Sequence, residues 1–152
     1  MRSGPEPFDS SDVQALAEAQ QAEMRGRYDG VADIGPTRVA DMFVPPDGVF
    51  LVVRDDAGRA LGCGGICRFD DARAELKRMY VVPDARGLGL GRRLLVELEE
   101  HARSLGYTGI VLETGDRQPE SVGLYTSAGF VRIPCYPPYS ERALSLCFEK
   151  VL

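Results

Sequence analysis

Between Val81 and Leu95 an apolar strand pattern stops at Pro83, and Gly87, Gly89 and Gly91 then run straight into an amphipathic helix. Glycine adopts backbone conformations closed to other residues and lets main-chain N–H groups approach a ligand closely. Those donors join the unsatisfied N–H groups of the first helical turn to form an anion site. Arg86, Arg92 and Arg93 add guanidinium groups suited to bidentate phosphate contacts. The run therefore reads as a pyrophosphate cradle. Two standard cradles do not fit. A Walker loop requires Lys and Ser/Thr after its glycines, and none follows here. A Rossmann fingerprint requires a third glycine where Arg92 stands, after the first strand of a parallel sheet.

The strand before the cradle belongs to a different pattern. Val49–Val53 reads as a buried strand, Asp55–Gly58 as a turn, and Arg59–Phe69 as the returning strand. Arg73–Val82 follows, with Ala74, Leu76, Tyr80 and Val82 alternating against Glu75, Lys77, Met79 and Val81, to complete an antiparallel meander. Upstream, Val13, Leu16, Ala17 and Met24 mark a helix from Ser11 to about Arg25, with Ser11 and Gln14 in capping-box spacing. Gly26, Gly30, Gly35 and Pro36 then break the pattern into a mobile or short-helical stretch through Met42. Downstream, Leu90, Leu94, Leu98, Ala102 and Leu105 mark a helix that ends at Gly106. A strand at Ile110–Leu112, a helix opened by Pro119, and strands at Phe130–Ile133 and Leu144–Val151 complete an α+β (mixed α/β) order around one sheet.

At 152 residues the chain suits a single domain. A net charge of −5 argues against a protein that coats nucleic acid. One histidine, His101, excludes zinc sites built on two imidazoles. The first residues lack a signal-peptide core, and no apolar run approaches a membrane span. Cys63, Cys67, Cys135 and Cys147 form no C-x-x-C pair, and strand geometry holds Cys63 and Cys67 roughly 13 Å apart. Four reduced thiols in a cytoplasmic protein are expected, with no metal.

The cradle resembles the R-x-x-G-x-[GA] acyl-CoA loop of the GNAT superfamily of N-acetyltransferases, with Arg86, Gly89 and Gly91 in its defined positions. A second match lies in Pro119–Phe130, similar to that family's helix with a terminal tyrosine followed by Gly-Phe. The resemblance spans about 50–152 and implies a mostly antiparallel mixed sheet, splayed between the strands at 73–82 and 109–113. It implies a single acetyltransferase domain, with 1–48 as an acceptor-side helical segment and 49–152 as the acyl-CoA core. Acetyl-CoA would lie in the splay as co-substrate, its pantetheine arm against Met79, Tyr80 and Val81. Its pyrophosphate would meet Arg86, Gly87, Leu88, Gly89, Leu90, Gly91 and Arg92. Ser121 stands where many members carry a pantetheine-holding Asn, and Tyr125 points at the thioester sulfur. Homodimers are common in the family.

Acetyl transfer to an amine requires a neutral nitrogen. An amine of pKa near 10 is about 0.1% neutral at pH 7, which adds ~4 kcal/mol to the barrier. A carboxylate can remove that proton, and Glu75 and Glu113 are the candidates near the splay. Tyr125 would protonate the departing thiolate. Tyr28, Tyr136 and Tyr139 are expected to wall the pocket for a small-molecule or peptide amine. A non-catalytic acyl-CoA sensor on the same fold is the alternative, as is acylation of a hydroxyl or use of a longer acyl group.

Overall fold

The computed structural model describes residues 1–30 and 40–152. The chain runs β1 (Arg2–Pro5), α1 (Ser11–Arg27), β2 (Val49–Arg54), β3 (Ala60–Arg68), β4 (Arg73–Val81), α2 (Leu90–Ser104), β5 (Gly109–Gly115), α3 (Pro119–Ser127), β6 (Val131–Ile133) and β7 (Ser145–Val151). One sheet has the order β1-β2-β3-β4-β5-β7-β6, and β4–β5 is its parallel pair among antiparallel neighbours. This is the expected mixed, mostly antiparallel sheet with flanking helices. A four-residue strand, β1, extends it at one rim by pairing with β2.

Each face of the sheet carries its own apolar cluster. Leu90, Leu94, Leu95, Leu98 and Ala102 of α2 pack with Leu51, Ile66, Ile110 and Leu112 on one face. On the other, Val13 and Leu16 of α1 pack with Phe8, Phe43 and Phe50, whose rings lie 5.1–5.2 Å apart. The α2 stripe follows from its apolar spacing of four, and burying one such leucine stabilises by about 1.5–3 kcal/mol. Gly89 opens α2 at φ +79° and Gly106 closes it at φ +93°, both in the left-handed region that glycine occupies without strain.

Four expectations need correction or restriction. The cap of α1 is Ser10, whose hydroxyl accepts from the Val13 N–H at 3.4 Å, while Gln14 donates to the Phe8 carbonyl at 2.8 Å instead of completing a capping box. The alternation along β4 reverses midway. Arg78 takes φ +62°, and the register slips between Cys63 opposite Tyr80 and Gly65 opposite Lys77. That extra residue is a β-bulge, which turns every following side chain to the opposite face. Met79 and Val81 consequently join Ala74 and Leu76 on the α2 face, and Tyr80 joins the α1 face. The cysteines are not all thiols, since Cys135 and Cys147 form a disulfide. Cys63 and Cys67 stay free, and burial pushes both thiols up to about 12. Of the stretch 26–42, α1 continues to Arg27 and a short 3-10 turn covers Ala40–Met42; residues 31–39 lie outside the described residues.

Candidate active site

β4 and β5 pair from Arg73 opposite Gly109 to Leu76 opposite Leu112 and then part. Past that point β4 runs on to Val81, and β5 turns away to Gly115. The gap opens into a cleft of about 350 Å³ bounded by α1, the glycine loop and α3. Met79, Tyr80, Val81, Arg86, Gly87, Gly89, Leu90, Gly91, Arg92, Ser121 and Tyr125 all line it. Leu88 does not; its side chain is 64% exposed.

Gly87 and Gly89 have φ +82° and +79°, and a Cβ at either would meet nothing within 4 Å. Backbone conformation, not crowding, therefore requires glycine here, and the space before the loop is open to a ligand. The first intrahelical bond runs from the Arg93 N–H to the Gly89 carbonyl at 3.0 Å, so the N–H groups of Leu90, Gly91 and Arg92 precede the ladder. Open space, left-handed glycines and helix-start donors together fit a pyrophosphate.

The arginines differ in how they are engaged. Arg86 donates to both oxygens of Glu23 at 2.8–2.9 Å and to the Val81 carbonyl at 2.9 Å, and it lies over the Tyr80 ring. The Arg86 guanidinium accordingly holds the Glu23 carboxyl below its usual range. Arg27 bridges Glu23, at 3.1 Å, to Glu120 of α3, so ion pairs span the cleft mouth. Arg92 hydrogen-bonds the Ser127 hydroxyl. Arg93 turns away to Ser3 and Glu97.

A smaller cavity of about 60 Å³ lies behind the cleft, on the side of β4 that carries Glu75 and Lys77. Glu75, Glu113 and Tyr139 line it, and it shares Gln20, Met24, Met79, Gln118, Ser121 and Tyr125 with the cleft. Glu75 accepts from the Tyr136 hydroxyl at 3.0 Å and sits 3.7 Å from the buried Lys77 ammonium, which itself donates to Tyr139 at 3.2 Å. Glu113 accepts from the Ser145 hydroxyl at 2.7 Å. Burial raises the Tyr136 phenol pKa, with the Glu75 charge adding to it. The Cys135–Cys147 bridge ties the loop carrying Tyr136 and Tyr139 to β7.

Tyr125 closes the junction. Its ring stands edge-on to Phe130 at 5.8 Å, and only 6% of the residue is exposed. Burial pushes its phenol pKa well up, and Glu113 adds to that shift, so the hydroxyl stays protonated at neutral pH. Tyr28 lines neither cavity. Its hydroxyl accepts from the Arg117 N–H at 3.0 Å and packs onto Gly115, pinning the turn between β5 and α3. Met24 and Arg27 belong to the segment 24–28 expected to shape acceptor specificity; Gln20 and Glu23, on the same face of α1, and Gln118, Glu120 and Leu124 line the cleft without having been singled out from the sequence.

A sheet parted at its parallel pair thus sets a buried tyrosine between a glycine-framed cleft and a carboxylate-bearing cavity. The chain belongs to the acetyltransferase (GNAT) family, which residues 13–130 match. It is 43% identical over 108 residues to an IAA acetyltransferase of Azospirillum brasilense, covering 70% of each chain. It is 45% identical over 87 residues to an uncharacterised N-acetyltransferase of Schizosaccharomyces pombe, covering 57% of this chain and 53% of that one. A candidate acyl-CoA N-acyltransferase of Klebsiella pneumoniae shares its fold at TM-score 0.87 and 29% identity, over 99% of this chain and 97% of that one.

Proposed function

We propose that this chain transfers the acetyl group of acetyl-CoA to a primary amine by direct attack in a ternary complex. The observation that carries this reading is the meeting of the two cavities at Tyr125. The larger takes the cofactor's pantetheine and pyrophosphate, and the smaller takes the amine beside Glu75 and Glu113. A carboxylate takes the ammonium proton and passes it to solvent, the neutral nitrogen bonds to the thioester carbon and sheds a second proton to the same carboxylate, and the carbon–sulfur bond breaks. Tyr125 then gives its proton to the departing sulfur. Tyr139 borders the acceptor side; Tyr136, expected to wall the pocket, lines neither cavity and bears on it only through its hydrogen bond to Glu75, while Tyr28 supports the site only through the β5–α3 turn.

Acetyl-CoA at a hundred times its Kd should stabilise the protein by about 2.7 kcal/mol, a rise in Tm of roughly 5–10 °C for a domain of this size. Thiol release from acetyl-CoA is then screened against polyamines, aminoglycosides, amino acids and peptide N-termini. Tyr125→Phe keeps the ring packing and removes the acid, so turnover should fall by about 10²–10⁴-fold at unchanged Tm. Cofactor binding without turnover across that panel would turn the reading to an acyl-CoA sensor.

A further inference from the structure

The Cys135–Cys147 bridge stands beside the acceptor cavity and takes no part in the transfer chemistry. It joins the start of the 134–144 loop to β7 at a residue opposite Glu113 in the β5–β7 register. From Cys135 the loop reaches across to β4. Tyr136 donates to Glu75 at 3.0 Å and meets the Phe69 ring at 4.7 Å, and the buried Tyr139 accepts from the Lys77 ammonium at 3.2 Å. The loop's own backbone adds little anchorage. The N–H groups of Tyr139, Arg142 and Ser145 bond to carbonyls three residues back, within the loop. Among the described residues, the backbone bond that ties it to another element lies at its far end, from the Asp116 N–H to the Leu144 carbonyl at 2.9 Å. The placing of both tyrosines therefore leans on the bridge one residue before Tyr136.

Thiol exchange can open that bridge. Cys147 is fully buried, whereas Cys135 is half-buried and flanked by the exposed Pro134, Pro137 and Pro138, so exchange begins at Cys135. A thiolate of a dithiol bonds to the Cys135 sulfur, the S–S bond breaks, and Cys147 leaves as a thiolate that takes a proton. The second thiol of the reagent then displaces the first, so the bridge is reduced to two thiols and the dithiol is oxidised to a disulfide. Cys63 and Cys67 do not compete, because burial pushes both thiols up to about 12 and neither is a thiolate at neutral pH. We propose that Cys135–Cys147 is a reversible redox site that controls the acceptor side: closed, it keeps Tyr139 on the cavity and Tyr136 on Glu75; opened by a dithiol, it releases both. Acetyl-CoA binding is spared, since no residue of 134–144 lines the cleft. This inference rests on the transfer reading above and adds to it a control by thiols.

The test compares protein treated with oxidised glutathione and protein reduced with dithiothreitol, each freed of reagent by gel filtration under nitrogen. Thiol titration after unfolding should find two thiols in the first and four in the second. Spermidine, alaninamide and 2-phenylethylamine serve as acceptors, with the acetylated amine measured by chromatography. Reduction should raise KM for the amine at least about fivefold, move the acetyl-CoA Kd less than about twofold, and be reversed by oxidised glutathione. Amide hydrogen exchange in 134–144 should quicken about tenfold in the reduced form. Cys135→Ser should match the reduced protein and respond to neither reagent; should it fail to fold, the reversible change in the wild-type protein decides alone. Four thiols after oxidised glutathione would overturn the proposal. So would an equal amine KM in the two forms, which makes the bridge a plain staple, or a loss of acetyl-CoA binding on reduction, which makes its opening a general loosening. Wild-type protein that turns over none of the amines in either form removes the transfer reading and this inference with it, whereas failure of the inference alone leaves that turnover in place.

Discussion

Replacing Glu23 with glutamine should tighten acetyl-CoA binding, because the carboxylate competes with phosphate for Arg86. The Glu23 and Arg86 side chains are 28% and 36% exposed, so their pair contributes no more than about 0.2–1 kcal/mol. Its loss frees the guanidinium, which the Val81 carbonyl and the Tyr80 ring continue to hold in place. The same change removes a negative charge facing the pyrophosphate, worth about 0.7 kcal/mol at about 6 Å in a water-like dielectric. Together these give about 1–1.5 kcal/mol, or a Kd lower by roughly five- to tenfold. Titration calorimetry with acetyl-CoA at low ionic strength measures this directly, and at 1 M salt the gain should shrink below about twofold. Because Arg86 keeps the Glu23 carboxyl ionised well below neutrality, the difference between the two proteins should be flat from pH 6 to 8. An unchanged or weaker Kd for the variant would refute the competition and make Glu23 part of the cradle.

Other substitutions separate shape from charge. A Cβ at Gly115 would lie 1.6 Å from the Tyr28 hydroxyl, so Gly115→Ala should lower stability by about 1–3 kcal/mol in denaturant unfolding. Gly89→Ala meets no neighbour but must hold φ +79°, so it should cost about 1–2 kcal/mol and reduce the Tm rise given by acetyl-CoA. The Arg73 hydrogen bond depresses the Asp70 carboxyl, so its stabilising effect is full above the unfolded value near 4 and is lost as pH falls through the folded value. Asp70→Asn should therefore be less stable than the parent at pH 6 and converge with it on acidification towards pH 2, as followed by thermal unfolding.

Much of the fold was legible because its signals are local. The fourfold leucine spacing of α2 and the glycines at 89 and 106 need no tertiary information, and the splay followed from the resemblance those glycines carry. What escaped depends on partners far along the chain. β1 is four residues long and takes its register from β2, some fifty residues on. The Arg78 bulge puts a non-glycine residue at positive φ, which no composition rule announces. The disulfide forms because β6 and β7 pair with Ile133 opposite Cys147, placing Cys135 just beyond the end of that ladder. Gln20 and Glu23 are polar, and the helix was read by its apolar positions, so this part of the face turned to the cleft was overlooked.

The parting of β4 from β5 also changes where this sheet is vulnerable. A strand edge offers unpaired backbone groups as a template to any other chain, and proteins keep such edges short or covered. Here the outer rims are formed by β1 and β6, with four and three residues. The longer unpaired margin, from Lys77 to Val81, faces inward, with α1 and α3 beside it. Two of its carbonyls, at Met79 and Val81, accept from the side chains of Gln20 and Arg86. The molecule thus has its most adhesive edge in its interior, where a slender extended ligand fits and a foreign β-strand does not.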